Sequence, residues 1–316
     1  MPQPKLDFFL AELASMNDPY LLHIFSETKN VSPFDINMAY EANYNAVIPY
    51  CNVELDEVHA LTQDTIFSRR PEGVKRTGIF IGGRDFHLAV DMLEAAKKAM
   101  VPPFEVSVLA DPSGAITTAA AMVAIAEHRL NAHSNTQLNG ANVAIFGGTG
   151  PVGTCVAVLA ASAGADVSIV SHQGAGAAQL VADRARKKYG YPLRGADGSD
   201  SDGIGNILGS VEVIFNTAKA GVRVVDTEHL AAGTNLKVAI DANAVPPSGI
   251  ADIDANDKDK RLDATPLDAI GVGALAVGDI KYRVHTGLLE KMYRAAEPVY
   301  LAHLEAFEFA RSIVNR

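Results

Sequence analysis

Short apolar runs alternate along the chain with longer stretches whose apolar residues recur at helical spacing. Thr77–Gly82 and Glu105–Ala110 are dense in apolar and β-branched residues, which favours buried strands. Between them, Phe86–Met100 places its apolar residues mostly on one side of a helix. A strand–helix–strand order favours a parallel sheet with a right-handed crossover. The first third of the chain therefore predicts an α/β domain.

A second alternation follows. Ile116–Arg129 is an Ala-rich helical run, and the polar stretch Asn131–Gly140 has the composition of a linker. Gly195–Gly205 predicts a surface loop, and Gly287–Val314 predicts a C-terminal helix. The remaining predicted elements are strands at Val143–Phe146, Val167–Val170, Val211–Phe215 and Lys237–Ile240, with helices at Pro151–Ala163 and Gly176–Lys188.

The pattern as a whole predicts an α/β protein of two α/β domains with an interdomain cleft, the second a Rossmann-type nucleotide-binding domain. The chain has 316 residues, of which 48% are hydrophobic and 20% charged, which excludes a largely disordered chain. We expect residues 1–128, together with a C-terminal helix at about 288–316, to form the substrate domain. Residues 129–287 form the nucleotide-binding domain in this division.

The strongest motif is the glycine-rich segment Gly147–Gly153, which contains GxGxxG directly after a predicted strand and at the start of a predicted helix. This context is typical of a dinucleotide-binding loop, in which glycines allow a tight turn, a close approach of the pyrophosphate and close helix–strand packing. A proline at the first helical position suits such a helix start. The residues predicted to hold the dinucleotide here are Gly148, Thr149, Gly150, Pro151, Val152 and Gly153.

The end of the next predicted strand bears on the choice of nucleotide. NAD sites usually place an acidic residue about 20 residues beyond the glycines, where it binds the ribose hydroxyls. This chain has Ser171 and His172 at that point, with no acid. The sequence therefore favours NADP as the nucleotide, with NAD also used. The alternative for His172 is a solvent-exposed loop residue.

Two further strand ends are candidates for the nicotinamide side of the site. Asn216-Thr217-Ala218 ends one predicted strand, and Asp241 and Asn243 end the next. Ligands of open parallel sheets bind at the carboxyl ends of the strands, so these residues are predicted to line the nicotinamide and its ribose. Simple turn formation is the alternative for the two asparagines.

Charge and composition exclude other classes. Lys and Arg total 27 against 37 Asp and Glu, a net charge of −10, so we expect no binding to nucleic acid or to anionic membranes. The nine histidines are scattered and there are two cysteines, so no metal site is expected. Met1–Leu10 lacks the pattern of a signal peptide and no apolar run spans a membrane, so a cytoplasmic protein is expected.

Several motifs together resemble the bacterial NAD(P)-dependent methylene-tetrahydromethanopterin dehydrogenases of one-carbon (formaldehyde) oxidation, which are related in fold to methylene-tetrahydrofolate dehydrogenases. The resemblance runs from about Ser32 to about His285. The segments that carry it are Ser32–Asp35, Phe80–Gly83 with Asp85, Asp111 with Thr117–Ala121, Gly147–Gly153, Asp241–Ala244 with Pro246-Pro247 and Gly249-Ile250, and Gly271–Gly273 with Lys281 and His285.

The resemblance implies a pterin-binding first domain, a dissociable NADP or NAD cosubstrate, and a homo-oligomer, a trimer or hexamer. It implies oxidation of a methylene bridge between two pterin nitrogens to a methenyl cation, with a hydride leaving for the nicotinamide. No proton needs to move, so the protein's task is to align two rings and exclude water. The strictly NADP-dependent member of the family has Gly-Arg-Lys where this chain has Ser171-His172-Gln173, which fits use of both nucleotides.

On the pterin side, Phe34 is expected to stack on the ring and Asp35 to bind its amino-pyrimidine edge; a core phenylalanine and a helix cap are the alternatives. No catalytic residue is certain, and Lys281 and Asp111 are the candidates. The expected substrate-binding residues are Phe34, Asp35, Asp111, Ser113, Thr117, Lys281 and His285.

Three other functions are compatible with the sequence. A methylene-tetrahydrofolate dehydrogenase would act on the same reacting ring. A shikimate-type NADP dehydrogenase would need a Lys–Asp pair in the first domain, for which the sequence has no clear candidate. A non-enzymatic NAD(P)-binding redox sensor would need the glycine loop but not the polar strand ends of the first domain.

Overall fold

A computed structural model describes residues 18–315 of the chain. The expectation about Met1–Leu10 falls outside these residues. The strands are β1 Leu21–Phe25, β2 Ala46–Tyr50, β3 Thr77–Ile81, β4 Ser107–Ala110, β5 Asn142–Phe146, β6 Asp166–Ser171, β7 Leu193–Asp197, β8 Val213–Asn216, β9 Val238–Asp241, β10 Lys260–Leu262, β11 Ala269–Val272 and β12 Tyr300–Leu301. The helices are α1 Pro33–Glu41, α2 Val58–Phe67, α3 Pro71–Val74, α4 Phe86–Lys98, α5 Ala115–Ser134, α6 Pro151–Ser162, α7 Ala175–Tyr189, α8 Ser201–Leu208, α9 Thr227–Ala232, α10 Ala274–Arg294 and α11 His303–Val314.

The chain divides into two compact units. The first comprises the described residues up to Gly114 together with His285–Ala302, and the second comprises Ala115–Val284 together with the described residues from His303 onward. Each unit contains one sheet, so the predicted two-domain α/β class is confirmed. Among the helices of residues 18–315, none has the length and apolar character needed to cross a membrane.

The sheet of the first unit has the strand order β12-β4-β3-β1-β2, and every pairing in it is parallel. All five residues of β3 are buried, as expected of a central parallel strand with both faces covered. The Asp85 carboxylate caps α4 by accepting the backbone N–H groups of His87 and Leu88. This cap starts the helix immediately after the loop that follows β3.

The sheet of the second unit has the order β10-β11-β9-β8-β5-β6-β7, with β10 antiparallel and the other pairings parallel. Strand β5 is central, the chain runs outward through β6 and β7 on one side, and β8 and β9 follow on the other. This is the doubly wound Rossmann order, whose switch point lies between β5 and β8. The predicted Rossmann-type fold of the second unit is therefore confirmed.

The structure corrects three element predictions. The stretch Asn131–Gly140 is not wholly a linker, because α5 continues to Ser134. The stretch Gly195–Gly205 is not only a loop, because β7 ends in it and α8 begins in it with Asp200 as its cap. The tail Gly287–Val314 is two helices rather than one, because α10 ends at Arg294 and the chain passes through Pro298 and β12 before α11.

Helices α5 and α11 belong to the second unit by their contacts. They pack against each other, and Arg311 on α11 donates two hydrogen bonds of 2.7 Å to the two carboxylate oxygens of Glu127 on α5. Such a bidentate pair fixes the geometry of both side chains. The boundary predicted at residue 128 and the place of residues 288–316 in the substrate domain remain predictions.

Candidate functional site

The glycine-rich segment forms the turn between β5 and α6, and it is shaped by contacts that leave no space for side chains. Gly147 has φ +69°, and a Cβ there would lie 2.5 Å from the backbone nitrogen of Ala218. A Cβ on Gly153 would lie 2.6 Å from the Cα of Gly148 and 2.6 Å from Thr217 Oγ1. Only glycine permits this turn to fit against the end of β8.

Thr217 fixes the other side of that contact. Its backbone N–H and its hydroxyl both donate to the carbonyl of Phe146, at 2.9 and 3.0 Å. The residue after β8 is thereby tied to the end of β5, beside the glycine turn. The carboxyl ends of β5 and β8 thus form one small platform at the switch point of the sheet.

Gly150 differs from its neighbours because the space around it is open. The nearest heavy atom to a Cβ built there is the Gly147 carbonyl, at 3.5 Å. Gly150 is the N-cap of α6 and Pro151 the first helical residue, so the N–H groups of the first turn point out of the helix end. Thr149 and Pro151 are exposed, and Val152 is half-buried. This combination of an open glycine and a helix N-terminus fits the pyrophosphate of a dinucleotide.

The carboxylate of Asp241, at the end of β9, is buried and accepts four hydrogen bonds. Oδ1 accepts the side-chain amide of Asn216 at 2.8 Å and the N–H of Asn243 at 2.9 Å. Oδ2 accepts the N–H groups of Gly249 and Ile250, at 2.7 and 3.0 Å. Asp241 therefore holds the loops after β8 and β9 together, and both of its oxygens are occupied in doing so.

The two asparagines serve the same network. Asn216 accepts the Ala218 N–H at 3.2 Å, and Asn243 accepts the N–H groups of Gly221 and Val245 while donating to the carbonyl of Pro247. These hydrogen bonds stabilise turns, which is the alternative role given above for Asn216 and Asn243. Direct contact of Asn216 and Asn243 with a nicotinamide remains a prediction.

The end of β6 carries the residues expected to select the nucleotide. Ser171 is buried and its Oγ accepts the Gln173 N–H at 3.0 Å, whereas His172 is exposed. The sequence analysis missed Asp197, which ends β7 directly beside Ser171 in the parallel register. Hydrogen bonds from Ser199, through its hydroxyl and then its backbone N–H, lower the pKa of the Asp197 carboxyl below its usual range.

In the first unit, the predicted residues gather at the carboxyl edge of the sheet around a buried histidine. His285 Nδ1 lies 2.9 Å from Asp111 Oδ2, and both side chains have no exposed surface. The His285 ring also contacts two phenylalanines: Phe80 at 5.7 Å between ring centres, and Phe34 edge-on at 5.6 Å. Two residues 174 positions apart in the chain are thus brought into one polar contact within an aromatic setting.

Phe34 and Asp35 start α1 but face different surroundings. Phe34 is 40% exposed, so it is not the core residue offered as its alternative. Asp35 is buried, and its Oδ2 lies against Gly82, where a Cβ would stand 3.3 Å away. The N-cap of α1 is Ser32 rather than Asp35. An exposed ring beside a buried carboxylate is suited to a flat ligand with a polar edge.

The loops at this edge are fixed by polar contacts. Ser113 adopts a left-handed backbone conformation with φ +52°, and its hydroxyl donates to the Gly83 carbonyl at 2.7 Å. Glu27, which sequence reasoning missed, accepts the backbone N–H groups of Arg84 and Asp85. Its position two residues beyond the end of β1 was the available signal, as for the other polar strand ends.

Two predicted substrate residues belong to the second unit. Thr117 is fully buried near the start of α5, and Lys281 is half-buried on α10, one helical turn before His285. The structure therefore brings five of the predicted substrate residues to the edge of the first sheet. These are Phe34, Asp35, Asp111, Ser113 and His285.

The glycine turn yields a prediction that separates folding from binding. Gly150→Ala should cost less than about 1 kcal/mol of stability, because space is available and only a favourable N-cap residue is lost, yet weaken NAD⁺ binding at least about tenfold because its methyl faces the pyrophosphate position. Gly153→Ala should also cost roughly 1–3 kcal/mol of stability, since it overpacks against backbone. Calorimetric titration and thermal unfolding of each variant provide the measurement.

Gly205→Ala is the control, because a Cβ there meets nothing within 4 Å in α8. It should bind as the unaltered protein does and gain up to about 1 kcal/mol of stability. Equal NAD⁺ affinities for the Gly150 and Gly205 variants would contradict the assignment of the turn.

Among known proteins, one family model matches part of the first unit, and two relatives match nearly the whole chain. A family model described as "Methylene-tetrahydromethanopterin dehydrogenase, N-terminal" matches residues 33–113. The NAD(P)-dependent methylenetetrahydromethanopterin dehydrogenase of Methylorubrum extorquens is 42% identical over 295 residues, which cover 93% of this chain and 99% of that protein. The bifunctional protein MdtA of the same organism is 29% identical over 293 residues, 93% of this chain and 98% of its own.

Among solved structures, quinate dehydrogenase from Corynebacterium glutamicum in complex with NAD covers 95% of this chain and 100% of its own, with 14% identity and a TM-score of 0.52. That likeness supports the fold alone. The 42% identity to the Methylorubrum extorquens dehydrogenase supports a family assignment, because it extends over nearly the whole of both chains. The chain belongs to the family of NAD(P)-dependent methylenetetrahydromethanopterin dehydrogenases.

Proposed function

We propose that this protein oxidises methylene-tetrahydromethanopterin to methenyl-tetrahydromethanopterin with NADP or NAD as hydride acceptor, in one-carbon (formaldehyde) oxidation. The observation that carries the proposal is the 42% identity to a dehydrogenase of that name over 93% of the chain. The geometry of the two sheet edges supports it independently. One edge fits a dinucleotide and the other fits a flat, polar-edged ring.

The dinucleotide is held by the second unit. The turn Gly147–Gly153 receives the pyrophosphate, and the N–H groups at the start of α6 neutralise its charge. Thr217 and Ala218 form the platform beside the turn, and Asp241 keeps that platform in place. Asn216 and Asn243 act through the loops that they fix.

The pterin is held by the first unit. Phe34 offers the exposed face of an aromatic ring to the pterin, and Asp35 accepts hydrogen bonds from its amino-pyrimidine edge. His285 contacts the Phe34 ring edge-on and helps to position it, and Asp111 holds His285 through their buried contact. Ser113 fixes the adjoining loop, while Thr117 and Lys281 stay in the proposal as further substrate contacts.

The proposed reaction needs no general acid or base from the protein. Bound nicotinamide supplies the hydride acceptor. The chain's own residues bind, orient and exclude water, which would hydrolyse a methenyl cation. The Asp111 carboxylate lies against His285 with no exposed surface, so its role in the proposal is to position neighbouring groups rather than to carry a proton to solvent.

Three finer statements belong to the proposal. Methanopterin rather than folate as the pterin is supported by the name of the matching family model over residues 33–113. A homo-oligomer, a trimer or hexamer, is supported by the family resemblance. A cytoplasmic location and the absence of nucleic-acid and membrane partners are supported by the net charge of −10 and by the low cysteine content.

An absorbance assay of reduced nicotinamide tests the proposal. Purified protein receives methylene-tetrahydromethanopterin or methylene-tetrahydrofolate, each with NAD⁺ and separately with NADP⁺. Turnover with the methanopterin substrate is the expected result. Turnover with the folate alone would move the assignment to the folate enzymes, and dinucleotide binding without turnover on either pterin would refute it in favour of a sensor.

Phe34→Ala tests the pterin side. Loss of a stacking ring should cost about 1–3 kcal/mol, as for base–aromatic stacking, and raise the KM for the pterin roughly 5- to 160-fold. The dissociation constant for NAD⁺ should not change, because the ring lies in the other unit. Steady-state kinetics and calorimetry give the two quantities.

The matched control is Phe67→Ala, which removes another exposed phenylalanine of the first unit, 53% exposed and in ring contact with Phe104. Its pterin KM should equal that of the unaltered protein. Equal KM values for the Phe34 and Phe67 variants would show that Phe34 does not touch the pterin.

A further inference from the structure

We propose that Asp197 gives this protein a preference for NAD over NADP by placing a carboxylate where the 2′-phosphate of NADP would bind. The inference rests on the dinucleotide binding proposed above and names the nucleotide of that same site. Absence of an acid from the end of β6 favoured NADP at the sequence level. The structure supplies the acid from the neighbouring strand.

Strand pairing places Asp197 at the ribose end of the site. In Rossmann folds the residue at the end of the second strand, about 20 residues beyond the glycines, contacts the ribose hydroxyls. Here that strand is β6, and its last residue Ser171 pairs directly with Asp197 at the end of β7. The Gly198 N–H also donates to the Ser171 carbonyl, at 3.0 Å, so the two strand ends remain together.

The Asp197 carboxylate is directed at the turn that joins β6 to α7. Its Oδ1 accepts the Ser199 N–H at 2.9 Å, and the backbone N–H of Ala175, the first residue of α7, also contributes to lowering the pKa of this carboxyl. A Cβ on Gly174 would lie 3.8 Å from Oδ2. The carboxylate thus occupies the start of α7, where a phosphate would otherwise find free N–H groups.

The surroundings add negative rather than positive charge. Asp200 and Asp202 are exposed in the segment that follows β7. Residues 171–175 and 197–203 contain no lysine or arginine. The first basic residue of α7 is Arg184, about 14 Å from Ala175 along the helix axis at 1.5 Å per residue.

These charges distinguish the two nucleotides. The 2′-hydroxyl of NAD is able to donate a hydrogen bond to a carboxylate, as the acidic residue of NAD sites accepts one. The 2′-phosphate of NADP would face fixed negative charge without a cationic partner, and repulsion between like charges disfavours it. His172 is exposed at this turn, so solvent screens its interaction with a bound phosphate.

Titration calorimetry with NAD⁺ and NADP⁺, without any pterin, tests the inference by binding alone. The unaltered protein should bind NAD⁺ at least about tenfold more tightly than NADP⁺, and the ratio should shrink as salt screens the repulsion. Asp197→Asn keeps one side-chain oxygen that can accept the Ser199 N–H but removes the charge. It should improve NADP⁺ binding by about tenfold and weaken NAD⁺ binding by a smaller factor.

Asp166→Asn is the control. It removes the same charge from the same pair of strands at the opposite end of β6, where Asp166 pairs with Arg194. Its NAD⁺ to NADP⁺ ratio should match that of the unaltered protein. Asp197→Ala removes both the charge and the hydrogen-bond acceptor. Comparing it with Asp197→Asn separates the effect of the charge from that of the hydrogen bond.

The outcomes are distinct. A ratio shifted in Asp197→Asn but not in Asp166→Asn supports the inference. A ratio shifted only in Asp197→Ala assigns the residue a purely structural role and overturns it, as does tighter NADP⁺ binding by the unaltered protein. If the unaltered protein bound neither nucleotide, the dinucleotide site itself would be refuted. If it bound NAD⁺ as expected but turned over no pterin, only the substrate assignment would fall, and the role of Asp197 would stand.

Discussion

The four hydrogen bonds to the buried Asp241 carboxylate are the interaction on which the dinucleotide edge of the second sheet depends. They join the end of β8, the end of β9 and the loop at Gly249. Each hydrogen bond to a charged group contributes about 1.5–3 kcal/mol, and a buried charge without such partners would be strongly destabilising. With these segments fixed, Thr217 and Ala218 stand where Gly147 approaches them too closely for any side chain. The shape of the phosphate turn is therefore set partly by a residue that is not in the glycine motif.

The first sheet uses a related arrangement with different groups. His285 and Asp111 are fully buried and in polar contact, which offsets the cost of removing both from water. Phe80 and Phe34 enclose the histidine ring from two directions. The result is a partly exposed aromatic ring in edge contact with a buried histidine, which suits a protein whose proposed task is alignment rather than proton transfer.

Features encoded in a short stretch of sequence were predictable, and those that depend on distant partners were not. The strands β3, β5 and β6 and the helices α4 and α6 follow from local periodicity, and the glycine motif follows from its place between a strand and a helix. The helix α8 was missed because Gly203 and Gly205 weaken its apolar pattern, and the break after Arg294 was missed because the apolar stripe continues past Pro298. The roles of Asn216 and Asp197 depend on hydrogen bonds and strand pairing across the sheet, which no local pattern reveals.

The proposed reaction is a direct hydride transfer from the pterin methylene to the nicotinamide, with no proton exchanged at the transferred position. The most direct measurement uses methylene-tetrahydromethanopterin carrying deuterium on both methylene positions, turned over with NAD⁺ in ordinary water, followed by mass spectrometry of the reduced nucleotide. One deuterium in each reduced nicotinamide is the expected result. Reduced nucleotide without deuterium would show that the hydrogen had passed through solvent, which would rule out direct hydride transfer.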